Sequence, residues 1–107
     1  MLYLTTKMIK DGVEKTQEEI LQEMAKALGN TGSILEETLK QLEEMEFSMS
    51  QIEDMEEYNR MVDIFNAVRK RAVFRRKMLI IHREALGLRQ HKFMDIFYPI
   101  PSMKRKR

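Results

Sequence analysis

Tyr58, Phe65, Ala72, Leu79 and Leu86 fall seven residues apart, and Met61 and Val68 stand at the intermediate positions of the same series. Seven residues are close to two helical turns, so such a repeat keeps one apolar stripe turned toward a neighbouring helix. The stretch from Gln51 to Leu86 is therefore expected to be one long helix packed on another. The series also runs through Arg75 and His82, where a polar head inside a seam must find a partner or reach water.

The rest of the chain is equally disposed to helix. Only 4 Gly and 2 Pro interrupt 107 residues, and Leu, Met, Glu, Lys and Arg dominate the remainder, which predicts an all-α protein. Thr16 with Glu19 forms a capping box, and Ile20, Met24, Ala27 and Leu28 mark an apolar face up to Gly29, a natural C-terminal stop. This predicts a first helix over 17–28. Ser33 with Glu36 forms a second box, followed at three- and four-residue intervals by Leu35, Leu39, Leu42, Met45, Met49 and Ile52. Near residues 47–50 the sequence allows either continuation or a break, with Ser50 and Glu53 able to cap a new helix.

Downstream, Leu86-Gly87-Leu88 has the form of a Schellman ending, with Gly87 at φ > 0. The run "RQHKFMDIFY" predicts a short last helix stopped by "PIP", whose prolines favour an extended or polyproline II course. Phe97, Tyr98 and Ile100 are expected to dock on the helices. Residues 1–103 are read as one helical domain, and the basic residues 104–107 as a disordered tail. Phe74 and Ile81 add a second apolar seam beside Ala72 and Leu79, more than one neighbouring helix covers. The expected architecture is thus a helical hairpin or bundle with one long helix in the C-terminal half, completed by oligomerisation, a dimer being favoured.

Charge is strongly segregated beneath a net +2. Residues 1–57 carry 5 basic and 14 acidic groups, and residues 58–107 carry 14 basic and 3 acidic ones. The halves can neutralise each other within a chain or between copies, or the basic half can meet an anionic partner. Arg69, Lys70, Arg71, Arg75, Arg76 and Lys77 in "RKRAVFRRK" are the candidate contacts for nucleic acid, with "KRKR" beyond them. The core-like apolar face argues against a membrane surface. Arg75 is expected to pair with a carboxylate of the acidic half.

Other chemistry finds little support. The chain has no Cys, which excludes disulfides, thiolate metal sites and Cys nucleophiles. Its first residues lack the pattern of an export signal, and a cytoplasmic location is expected. His82 and His91, with Glu84 and Asp95 nearby, lack the spacing of a helical metal site and read as hydrogen-bonded histidines. No cofactor, metal or catalytic constellation is expected. The ten Met residues, among them Met24, Met45, Met49, Met55 and Met61, read first as core filling and second as a deformable partner surface.

Residues 16–46 resemble the helix-turn-helix core of bacterial transcription regulators: Ala25, Leu28 and Gly29 match its "A-x-x-L-G", and Leu35, Leu39 and Leu42 match its second helix. The resemblance implies that residues 34–47 would enter DNA. That stretch carries Glu36, Glu37, Glu43, Glu44 and Glu46 against Lys40 alone, Asn30 replaces the usual apolar residue after the turn, and no wing-like hairpin follows. Such a surface repels phosphates, so the segment is expected to be scaffold. The sequence as a whole predicts a non-enzymatic helical interaction module, an adaptor, scaffold or regulatory subunit. It is expected to bind another protein and to self-associate through a seam of Tyr58, Met61, Phe65, Val68, Ala72, Leu79 and Leu86. The alternative is a small nucleic-acid-binding protein using residues 69–77 and the basic tail.

Overall fold

The computed structural model of the chain describes the backbone from Leu2 to Arg107 and side chains from Thr16 onward. Helix α1 spans Leu2–Ser50, α2 spans Met55–Ala85 and the short α3 spans Met94–Phe97. Among the described residues there is no strand. Helices α1 and α2 pack antiparallel as a hairpin. The longest dimension is 80 Å, close to the ~74 Å expected of a 49-residue helix at 1.5 Å per residue. The all-α hairpin expected from the sequence is thus the fold.

The first two helices read from the sequence are one. Gly29, Asn30 and Gly32 lie inside α1, and neither Gly29 nor Gly32 adopts positive φ. The Thr16–Glu19 and Ser33–Glu36 boxes therefore start no helix, both lying inside α1, and the helix-turn-helix resemblance fails in the backbone itself. The physical reason is the longer pattern. Leu28, Leu35, Leu42 and Met49 continue at seven-residue spacing through both glycines, and Leu35 and Leu42 are fully buried against α2. An interior glycine costs a helix about 1 kcal/mol, whereas each buried leucine contributes on the order of 2 kcal/mol. Packing outweighs the local stop signal.

The break near residues 47–50 falls just beyond them. Gln51 N–H and Ile52 N–H bond back to Ser48 O (3.1 Å) and Met49 O (3.2 Å). Asp54, rather than Ser50, caps α2, its Oδ2 accepting from Glu57 N–H at 2.8 Å. Glu56 and Glu57 in the first turn, with His82 and Arg83 in the last, oppose the helix dipole. At the other end Gly87, at φ 84°, is the one residue with positive φ among those described. Leu88 N–H bonds to Arg83 O and Gly87 N–H to Glu84 O, both at 2.9 Å, which is the Schellman ending.

The core is the strip between α1 and α2. Leu42, Met49, Val62, Phe65, Val68 and Ala72 form one buried cluster. Leu35, Leu79 and Met94 form a second, which brings α3 onto the hairpin. Residues 98–107 then turn back along the helices, with Tyr98 in the second cluster and Ile100 against the first. Phe97 does not dock: it is 70 % exposed, meeting Phe93 edge-on at 5.8 Å.

Because Gly29 sits in helix with open space where a Cβ would stand, Gly29→Ala is expected to raise stability by about 0.5–1 kcal/mol. Gly87→Ala should lower it by about 1 kcal/mol, the cost of a Cβ at positive φ. Urea midpoints of the two variants check both signs, and a destabilising Gly29→Ala would point to a turn there.

Candidate interaction surfaces

Two polar pairs cross the seam at equivalent heights. The Thr31 hydroxyl donates to Ala27 O (2.8 Å) and so accepts from His82 Nδ1–H (2.9 Å). The Thr38 hydroxyl donates to Ile34 O (2.9 Å) and accepts from Arg75 Nη1. Thr31 and Thr38 are seven residues apart, and His82 and Arg75 are seven apart in the opposite direction, so both pairs sit on one antiparallel register. Each threonine spends its proton on its own helix and offers its lone pairs to α2. Arg75 thus finds a hydroxyl where a carboxylate was expected.

The seam residues face the same chain. Phe65, Val68, Ala72 and Leu79 are buried in the hairpin core, with Tyr58 and Met61 packed against it and Leu86 half-buried at the open end. The surface expected to join two copies is filled by α1. A seven-residue repeat identifies a packing face without saying which chain supplies the other side.

What α2 leaves uncovered is a second stripe. Ile64, Ala67, Arg71, Phe74, Met78 and Ile81 recur at alternating three- and four-residue intervals. Ile64 is 52 % exposed, Phe74 61 % and Ile81 46 %. Ile34 of α1, also exposed, is next to Leu35, which packs in the cluster of Leu79. Before Leu28, α1 runs on past the end of α2, and Ile20 and Leu21 are exposed there.

The six cations of residues 69–77 divide evenly. Arg69 Nε donates to Pro101 O (2.7 Å), Arg76 Nη1 to Tyr98 O (3.1 Å) and to Asp95 Oδ1 (3.2 Å), and Arg75 is held by Thr38. Lys70, Arg71 and Lys77 are exposed. Half of the candidate nucleic-acid surface therefore holds the fold together.

Residues 104–107, set apart in the sequence as a disordered tail, are placed against both helices. Asn66 exchanges two hydrogen bonds with the Lys104 backbone (both 3.0 Å), and Asn59 does the same with Arg107 (2.8 and 3.2 Å). Lys104 Nζ meets Glu46 at 2.8 Å and Lys106 Nζ meets Asp63 at 3.2 Å. The Arg107 guanidinium lies 3.8 Å from the Tyr58 ring centroid. Sequence reasoning missed Asn59 and Asn66. Their seven-residue spacing, beside the seam, was the available signal.

Of the histidines and carboxylates weighed for metal binding, His91 and Glu84 come together, while His82 and Asp95 lie on other partners. His82 bonds Thr31, His91 Nε2 lies 3.2 Å from Glu84 Oε1, and Asp95 pairs with Arg76. A cleft of ≈400 Å³ opens where α1, α2 and α3 meet, over Gly29 and Gly32 and beside Glu36, Arg83 and Tyr98. Among the described residues no helix is long and apolar enough to cross a membrane. Comparison with protein-family models, curated proteins and solved structures finds no match.

Thr38 and Arg75 test the seam. Thr38→Val removes the acceptor and leaves the guanidinium unpaired in the seam, so it should cost about 1–3 kcal/mol. Arg75→Met leaves the Thr38 hydroxyl on Ile34 O and fills the space with apolar volume, so it should change stability by less than about 1 kcal/mol. Denaturant titration of the two variants should show that order, and a reversed order would place the arginine outside the seam.

Proposed function

We propose that the chain is a non-enzymatic helical interaction module, an adaptor, scaffold or regulatory subunit working in the cytoplasm, that self-associates as a dimer and binds another protein. The observation that carries this reading is the uncovered stripe of Ile64, Phe74 and Ile81 on α2, with Met78 half-buried among them. A row of large apolar side chains at helical spacing favours cover by another helix. Charge supports a second copy as one cover. The stripe lies on a basic helix, with Lys70, Arg71 and Lys77 exposed, whereas α1 exposes Glu36, Glu37, Glu43 and Glu44. A two-fold pair that sets α1 of each copy against α2 of the other joins opposite charges and completes a four-helix bundle.

A second reading, nucleic-acid binding, rests on the three exposed cations Lys70, Arg71 and Lys77 with Arg105. It is the weaker one, because Arg69, Arg75 and Arg76 are spent on internal bonds.

Light scattering with gel filtration separates these readings. The parent chain should elute with a dimer's mass at micromolar concentration and Phe74→Asp with a monomer's. Circular dichroism of that variant should be unchanged, since Phe74 contributes little to the intrachain core. A monomeric parent would overturn self-association. Retention on DNA that falls steeply with salt, and is lost when Lys70, Arg71 and Lys77 become Gln, would establish the second reading instead.

A further inference from the structure

The flank of the hairpin opposite the uncovered stripe is built as a peptide groove, and residues 98–107 occupy it. Four side chains of α2 read the backbone of that segment and ignore its side chains. Arg76 and Arg69 donate to the carbonyls of Tyr98 and Pro101. Asn66 and Asn59 each take both the N–H and the C=O of one residue, Lys104 and Arg107. The residues read are every third one, the period of a polyproline II chain. The lengths also match: nine steps of such a chain span ~28 Å, and the helix from Asn59 to Arg76 spans ~26 Å.

Backbone bonds of this kind accept any extended peptide, and the groove walls select among them. Glu46 receives Lys104, which also stands 5.3 Å over the Phe65 ring. Asp63 receives Lys106, and Tyr58 stacks under Arg107, whose Nη1 reaches Ile52 O at 3.4 Å. Ahead of the cations, Tyr98 and Ile100 pack on the core, and the Tyr98 hydroxyl rests beside Gly32, 3.6 Å from where a Cβ would stand. The distal contacts are open to solvent, the Lys106 and Asp63 side chains being 58 % and 67 % exposed. That end can peel away without disturbing the hairpin core.

We infer that this groove is a binding site for extended Lys/Arg-rich peptides of another protein, with the chain's own residues 98–107 as the competing occupant. The ligand is a segment with an aromatic or branched apolar anchor followed, four to nine residues on, by cations that meet Glu46, Asp63 and Tyr58. Asn59 and Asn66 hold its backbone. The site is separate from the stripe proposed for self-association, so either can fail alone.

The test uses the full chain carrying Lys104→Glu, Lys106→Glu and Arg107→Glu, which sets its own segment against Glu46 and Asp63. A fluorescent peptide with the sequence of residues 98–107 is titrated in and followed by anisotropy. The triple variant is expected to bind it at least tenfold more tightly than the parent, whose own segment competes. Adding Asn59→Ala and Asn66→Ala should remove at least tenfold of that affinity, and a scrambled peptide of equal charge should bind at least tenfold more weakly. Equal binding by parent and triple variant, by the scrambled peptide, or after loss of both asparagines overturns the inference. If circular dichroism shows the triple variant unfolded, the isotope-labelled parent decides. Excess unlabelled peptide should move its Lys104 and Arg107 amide resonances to free-chain positions, and resonances that stay in place overturn the inference.

Discussion

The antiparallel register between α1 and α2 is the constraint on which everything else depends. Leu35, Leu42 and Met49 on one helix and Phe65, Ala72 and Leu79 on the other bury one continuous strip. The Thr31–His82 and Thr38–Arg75 pairs mark its pitch. A slip of one heptad would keep apolar groups opposite apolar groups, but it would leave only one threonine matched, Thr31 with Arg75 or Thr38 with His82, and strand the other threonine and the other α2 head on the seam. Hydroxyls already committed to Ala27 O and Ile34 O can serve only as acceptors for α2, so the pairs work as a register key with a defined polarity. Once the register is set, one flank aligns Leu39 and Glu46 with Asn66, Arg69 and Arg76 and becomes the groove for residues 98–107. The other flank is left with Ile64, Phe74 and Ile81 facing outward.

Charge segregation along the chain takes its meaning from the same arrangement. An acidic α1 beside a basic α2 neutralises much of the imbalance through the proximity of whole helices. The described ion pairs are few and mostly exposed: Arg76–Asp95, Lys104–Glu46, Lys106–Asp63 and the His91–Glu84 contact. Exposed pairs of this kind stabilise by less than about 1 kcal/mol each. The arginines contribute more as hydrogen-bond donors to carbonyls of the returning segment, a use for which their planar, multiply donating heads are suited.

The sequence made the long second helix plain, because its heptads and the Leu86-Gly87-Leu88 ending are strong and local. It misled at Gly29 and Ser33, where two capping signals and a glycine imitate a turn. The Leu28–Leu35–Leu42–Met49 spacing runs through the same residues and prevails by burial. The partner of the Tyr58–Leu86 seam was not legible, since periodicity defines a face and leaves open which helix covers it. The returning segment was hidden for a different reason. "KRKR" weighs toward solvent by composition, while the groups that hold it, Asn59 and Asn66, are short neutral side chains that alter no apolar pattern. Arg75 was placed correctly on the seam, but its partner is a threonine hydroxyl, which no count of charges would single out.

The seam closes within one chain, and a disulfide across it tests this. The chain has no cysteine, so Thr31→Cys with His82→Cys introduces one pair only, at positions whose side chains touch at 2.9 Å. Oxidised at low and at high protein concentration, the double variant should run as a single cross-linked chain on a denaturing, non-reducing gel, whatever its state of association. Disulfide-linked pairs of chains as the main product would show that the seam joins two copies and would contradict the account.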